Sequence, residues 1–250
     1  MAKKTRKRPA LVTLSHDIRV SKPKIVEDGV GDVGNIATPL SEQTSASIER
    51  FPESVISDFS STQGNRKRFG IQRHTKGEGV HTDVRHDIDG EHYRGFTVFN
   101  DSLKTDSRFI LKEPGPVNWI NYSGPYNGGE IKVVEEGSYR VLAIDEHRLL
   151  VEYYDVGEYT GKWVYMIAHI DTKYVPIVKK IKEGIAEHAE MIFKVLSEKK
   201  EGSKVGFEQL ETIVEMTVDP KNIYWRSEIA EKAGLSKQTV YEYQKELKII

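Results

Sequence analysis

Phe69–Phe99, FGIQRHTKGEGVHTDVRHDIDGEHYRGFTVF, is the stretch on which the fold turns. FGIQRH, VHTDVRHDI and YRGFTVF are short runs rich in β-branched and aromatic residues, separated by the glycine-containing connections TKGEG and DGEH. That text predicts strands folded side by side, with Asp89-Gly90 as a turn. In an extended strand side chains alternate, so His81, Asp83 and Arg85 share one face. Val80, Thr82, Val84 and Ile88 share the other, with His86 among them. The apolar set packs on a core, and the polar set converges on one surface or cavity. His74 ends the preceding strand. Two imidazoles and a carboxylate from adjacent strands make a facial ligand set for Mn²⁺, Zn²⁺ or Fe²⁺, with manganese favoured and zinc next. Arg85, one pleat further on, is placed to hold a phosphate oxygen. The same pattern also fits a polar hairpin face with ordinary exposed histidines. His86, Asp87, Asp89 and His92 fall outside the set.

Outward from this stretch, RFILK, EIKVV, YRVLAI, RLLVEYYDV and KWVYMIAHI continue the strand pattern to about Ala168. Eight short strands with Asp-Gly and Gly-Gly punctuation predict an antiparallel barrel or sandwich over 51–172. After Pro176 the period changes. Ile177, Ile181, Ile185, Ala189, Ile192 and Leu196 recur at helical spacing and predict a long connecting helix over 173–200. Its apolar stripe packs on the barrel or, through 177–196, in a homodimer. The fold class is therefore α+β, a barrel followed by helices.

Residues 201–250 read as helical. RSEIAEKAGLSKQTVYEYQKEL, Arg226–Leu247, fits a helix-turn-helix, with Phe207–Val218 as the third helix of a trihelical unit. Ser227 is read as the cap of the first helix and Ser236 as that of the second. Gly234 suits the turn between them, and Val240, Tyr243 and Leu247 face the core. Lys237, Gln238, Thr239, Tyr241 and Gln244 then point outward toward a DNA major groove, with Arg226 beside them. Glu242 and Glu246 on the same helix oppose phosphate, and a helical hairpin that binds protein has the same pattern. A homodimer through this C-terminal unit is the other partner expectation.

The 250 residues carry a formal net charge of −1, which hides an asymmetry. Met1–Lys24 holds eight Lys/Arg (Lys3, Lys4, Arg6, Lys7, Arg8, Arg19, Lys22, Lys24) against Asp17 alone. Residues 1–50 read as a flexible basic tail able to neutralise phosphates. With no cysteine, disulfides and thiolate metal sites are excluded. No apolar run approaches a membrane span, so no membrane partner is expected. An intracellular, cytoplasmic location is the default.

KRFGIQRHTKGEGVHTDVRHDIDGEHYRGFTVF, with SDFSST (Ser57–Thr62) upstream and SGPYNGGEIKVVEEGSYRV downstream, resembles the 3′-phosphoesterase domain of bacterial and archaeal ligase D. The resemblance covers roughly Asp58 to Ala168. It implies a small β-barrel and metal-dependent trimming of 3′ ends, with removal of a terminal ribonucleoside and then of the 3′ phosphate. It places the family's metal-binding His, His and Asp on His74, His81 and Asp83, and its phosphate-binding arginine on Arg85. It adds Asp58 and Arg108 as catalytic positions. The family's E-D-H-P-L-D-Y block corresponds to EPGPVNW (Glu113–Trp119), so its histidine becomes Gly115 and its tyrosine Trp119. Asn100 stands at its P-K-G lysine and Ser57 at the arginine before its D-F. Tyr122, Lys104 and Lys112 are nearby candidates to substitute. The expectation is a DNA-binding protein with a metal-holding phosphoesterase-like barrel, serving repair, organisation or regulation. An active 3′-phosphoesterase is the alternative.

Overall fold

The computed structural model describes residues 48–170, 172–198, 205–219 and 224–250, so the basic tail read at 1–50 lies almost wholly outside the described residues. Alternation along Arg66–Lys76 (β1), Gly79–Asp87 (β2) and His92–Val98 (β3) drives Phe69, Ile71, Val84, Phe96 and Val98 into one interior. β1 and β2 pair antiparallel with His74 opposite His81, and β2 pairs with β3 with Asp83 opposite Thr97. Ser107–Pro116 (β4), Gly124–Tyr126 (β5), Gly129–Ile144 (β6), Arg148–Tyr154 (β7), Gly161–Ile170 (β8) and Lys173–Lys180 (β9) follow. The neighbours run β1-β2-β3-β4-β9-β8-β7-β6, and β6 returns to β1, closing an eight-stranded antiparallel barrel. The barrel expected from the sequence is therefore present. The 16-residue β6 shifts register once against β1 and once against β7. Such bulges bend a strand and let it serve both neighbours around a tight closure.

The interior is aromatic. Phe69 stacks on Tyr153 and Phe96 on Tyr165, each with ring centroids 4.2 Å apart. Helix α1 (Glu53–Ser61) adds Val55 and Phe59 to the same core. His86 is fully buried here, so it belongs to the core rather than to the hairpin surface. Its Nε2 lies 2.8 Å from the Tyr153 hydroxyl, which lies 2.8 Å from the Tyr165 hydroxyl. Burial pushes its pKa down to about 3, so the ring is neutral.

The opposite pleat of β7 and β8 turns Leu150, Val164 and Met166 outward into a second apolar core. Helices α2 (Ala189–Ser197), α3 (Phe207–Val218), α4 (Arg226–Ala233) and α5 (Lys237–Glu246) complete this core. The long helix expected from Ile177 is corrected: Lys173–Lys180 is strand β9, paired along its length with β8. Hydrogen bonds that close the barrel outweigh a helical spacing of isoleucines in a segment rich in β-branched residues. A 3₁₀ turn, Glu183–His188, leads into the shorter α2. Ile185, Ala189, Ile192 and Leu196 are buried within the chain, which removes the stripe proposed for a homodimer.

Lys179 on β9 reaches Glu211 of α3 at 2.9 Å, and Lys182 reaches Glu215 at 2.6 Å, tying the helices to the barrel. α4 begins one residue before Ser227: the Trp225 N–H donates to the Glu228 carboxylate at 2.6 Å, so the cap is Trp225–Glu228. Gly234 holds φ of 67°, and the Leu235 N–H returns to the Ala230 carbonyl at 2.9 Å, an αL ending to the helix. Ser236 caps α5, accepting from the Thr239 N–H at 3.0 Å.

Candidate metal and phosphate site

On the outer face of β1–β4 the polar set converges. His74 Nδ1 lies 3.1 Å from His81 Nε2, and His81 Nε2 lies 3.7 Å from Asp83 Oδ1. One ligand atom from each of the three falls within 4.8 Å of the others. Two ligands each ~2.1 Å from one ion stand about 3.0–3.4 Å apart at octahedral or tetrahedral angles. The His74–His81 separation fits a shared cation and the His81–Asp83 one is a few tenths of an ångström wider, and the two nitrogens and one oxygen suit Mn²⁺, Zn²⁺ or Fe²⁺. Desolvation lowers the pKa of both imidazoles, with Lys112 and Arg85 adding to it and Asp83 opposing it. Neutral rings keep lone pairs free for a metal. His74 Nε2 is buried and short of a well-formed hydrogen bond.

Asp83 is fixed from three sides. Thr97 Oγ1 donates to Oδ1 at 2.7 Å, while Arg85 Nη2 and Lys112 Nζ each donate to Oδ2 at 2.9 Å. Burial alone would raise this carboxyl; Lys112 and Arg85, with Thr97, outweigh it and hold it at about 2. Gln72, Asp83 and Arg85 are buried although they lie outside the barrel, because the 3₁₀ turn Val117–Asn121 is laid over them, while His74, His81 and Lys112 are half-buried. The Trp119 carbonyl accepts from Arg85 Nη1 at 2.7 Å and from Gln72 Nε2 at 2.8 Å. Gln72 Nε2 also donates to the Tyr122 carbonyl at 2.7 Å. Arg85 lies between two rings, 5.1 Å from the centre of Tyr93 and 5.5 Å from that of Trp119.

His74, His81, Asp83 and Arg85 are thus brought together. Of the substitutes named from the sequence, Lys112 joins them, whereas Lys104 is exposed and pairs with Asp101 at 3.1 Å. Asp58 does not join. It pairs with Arg94, whose Nε donates at 2.7 Å, and Arg94 leaves β3 on the face opposite Thr97. Arg108 is exposed on β4, four residues or about 13 Å along the strand from Lys112. Asn100 donates to Ser107 Oγ at 2.6 Å. Gly115 packs on Tyr93: a Cβ there would lie 2.7 Å from the ring, so the histidine of the family block has no room while Tyr93 keeps this place.

No protein-family model matches the chain, and no curated protein matches it.

Among the C-terminal residues named for DNA contact, Lys237 and Gln238 are exposed and Thr239 and Tyr241 half-buried. Arg226 lies 4.5 Å over the Tyr241 ring. Gln244 is a correction: it is buried, donating to Thr217 Oγ1 at 2.8 Å and accepting from Arg226 Nε at 3.3 Å. It follows Val240 by four residues and so shares its inward face. Sequence reasoning missed Gln72 and Tyr93. Gln72 stands two residues before His74, on the same face, which was signal enough to include it. Among the described residues no helix is long and apolar enough to cross a membrane.

Proposed function

We propose that the outer face of β1–β4 binds one divalent cation through His74, His81 and Asp83 and, with Arg85 and Lys112, holds the terminal 3′ phosphate of a DNA strand. The observation that carries this reading is the convergence of His74 Nδ1, His81 Nε2 and Asp83 Oδ1 beside two cationic side chains. Positive groups outnumber the one carboxylate, so an added phosphate restores charge balance. The resemblance of Asp58–Ala168 to ligase D phosphoesterase domains points to the same ligand. The C-terminal helices supply a second contact, a helix-turn-helix formed by α4 and α5. Lys237, Gln238, Thr239 and Tyr241 meet the duplex from the N-terminal end of α5, where Gln238 also donates to the Glu242 carboxylate at 2.9 Å.

Hydrolysis of the phosphate is a second reading, and Lys112 is the observation that favours it. A bound cation would polarise a phosphoryl oxygen. Arg85 and Lys112 would stabilise charge developing on the others, replacing cations that the family draws from other positions. Gly115 and Asn100 leave the family's histidine and lysine without direct counterparts, so binding stands first.

The test compares duplexes ending in 3′-phosphate and 3′-hydroxyl, with and without Mn²⁺, by fluorescence anisotropy. Wild-type protein is expected to prefer the phosphate only with Mn²⁺, and His81→Ala to lose the preference. Phosphate released in the same samples decides the second reading. Equal binding of both ends, with Mn²⁺ present, contradicts the proposal. Lys237→Glu is expected to weaken binding to both duplexes alike.

A further inference from the structure

Beside the trio lies an aromatic ledge that the metal and phosphate reading does not use. The Tyr126 ring is 5.8 Å from that of His74 and 5.1 Å from that of Trp119, which is 4.7 Å from Tyr122. The rings are tilted by 50–74° to one another, so they do not close into a stack that covers their faces. Tyr126 is 42 % exposed, and Trp119 and Tyr122 are half-buried. Elsewhere in the barrel the aromatic rings are mostly driven into the core, which makes an open group of three beside a charged pocket a binding feature to be explained.

The ledge is also held in place. Tyr126 pairs with Gly129 across a two-residue turn in which Asn127 and Gly128 have φ of 49° and 75°. That is the tight primed hairpin whose twist suits its strands. The Tyr122 hydroxyl donates to the Pro125 carbonyl at 2.8 Å, and the Tyr122 and Trp119 carbonyls are fixed by Gln72. A preorganised aromatic surface loses little freedom when a flat ring settles on it.

We propose that Trp119, Tyr122 and Tyr126 take the base of the nucleotide whose phosphate lies against His74, His81 and Arg85. The ligand is then a nucleotide end with its last base unpaired, not a bare phosphoester. The proposal rests on the phosphate reading above. It is argued from the shared position of His74, which belongs to the trio and touches the ledge, and from the chemistry of the two parts. Every base has a π-face to stack, and every 3′-nucleotide carries its phosphate one sugar away.

Calorimetry on the full chain loaded with Mn²⁺ tests it, with adenosine 3′-monophosphate and inorganic phosphate as probes. Stacking of one base predicts nucleotide binding about tenfold tighter than inorganic phosphate, or more. Tyr126→Ala is expected to remove most of that advantage and Tyr126→Phe to keep it, with inorganic phosphate bound equally by all three proteins. Tyr126 lies outside both cores, so neither variant threatens the fold. Equal wild-type affinity for the two probes overturns the proposal while leaving the phosphate site intact. So does a Tyr126→Ala variant that keeps the nucleotide advantage, or that weakens inorganic phosphate as much as nucleotide. If the wild type binds no inorganic phosphate, the phosphate reading itself fails and the base subsite with it.

Discussion

Across β1–β4 the side chains that leave the barrel outward include Gln72, His74, His81, Asp83, Arg85, Thr97 and Lys112; across β7 and β8 they include Leu150, Val164 and Met166. Both faces come from the same pleat over the same aromatic interior, and both are covered. The apolar face is covered by α2 and the 3₁₀ turn before it, with the other helices packed behind, and the gain is transfer of hydrocarbon from water, about 1.5–3 kcal/mol for each large side chain. The polar face is covered by one 3₁₀ turn, and its groups bond mostly to one another and to the Trp119 and Tyr122 carbonyls, while Gln72 Oε1, His74 Nε2 and Arg85 Nε are left without a well-formed hydrogen bond. Burying Asp83, Arg85 and Lys112 together stabilises little, because desolvation offsets most of the Coulomb attraction. The difference between the faces separates burial that holds the fold from a buried ionic cluster that adds little to its stability.

The largest expected effect comes from unbalancing the polar face. Asp83→Ala leaves Arg85 and Lys112 buried without their anion and is expected to cost about 3–5 kcal/mol in urea unfolding. A loss below ~1 kcal/mol would mean that water already screens the cluster. On the apolar side, Leu210→Ala opens a cavity in the core around α3 at an expected cost of about 3 kcal/mol. If the two faces are as separate as described, Leu210→Ala leaves metal affinity unchanged.

A smaller effect belongs to the interior that both faces share. The folded pKa of His86 is about 3, below its unfolded value, so the unfolded chain takes up the proton first. Its contribution is complete above about pH 6.5 and is lost progressively as pH falls from there toward about 3. Asp83, also depressed, adds its own loss only as pH falls from about 4 toward 2. His86→Phe is expected to flatten the stability profile between pH 6 and 4; an unchanged slope would show that His86 is not the group responsible.

The sequence shows the polar face unevenly. Period-two alternation in VHTDVRHDI is enough to put His81, Asp83 and Arg85 together and to send His86 the other way. It gave no hint that His86 would be wholly enclosed by rings arriving from β1, β3, β7 and α1, since those contacts depend on closure. Lys112 was one of three equal candidates, because strand register against β3 decides which lysine reaches Asp83. The Trp119 carbonyl was illegible in principle, since every residue has one and only the turn aims it. β9 was misread because Ile177, Ile181 and Ile185 happen to fall at helical spacing, while the first of them lies in a strand. Gln244 was misread although its distance from Val240 already placed it inward.

The central claim is that His74, His81 and Asp83 hold one divalent cation, and titration calorimetry with Mn²⁺ at pH 7.5 tests it most directly. The expected result is one ion per wild-type chain and none at that site in His81→Ala, with both proteins melting at similar temperatures before metal is added. No binding by the wild type, or binding that His81→Ala leaves unchanged, would contradict it.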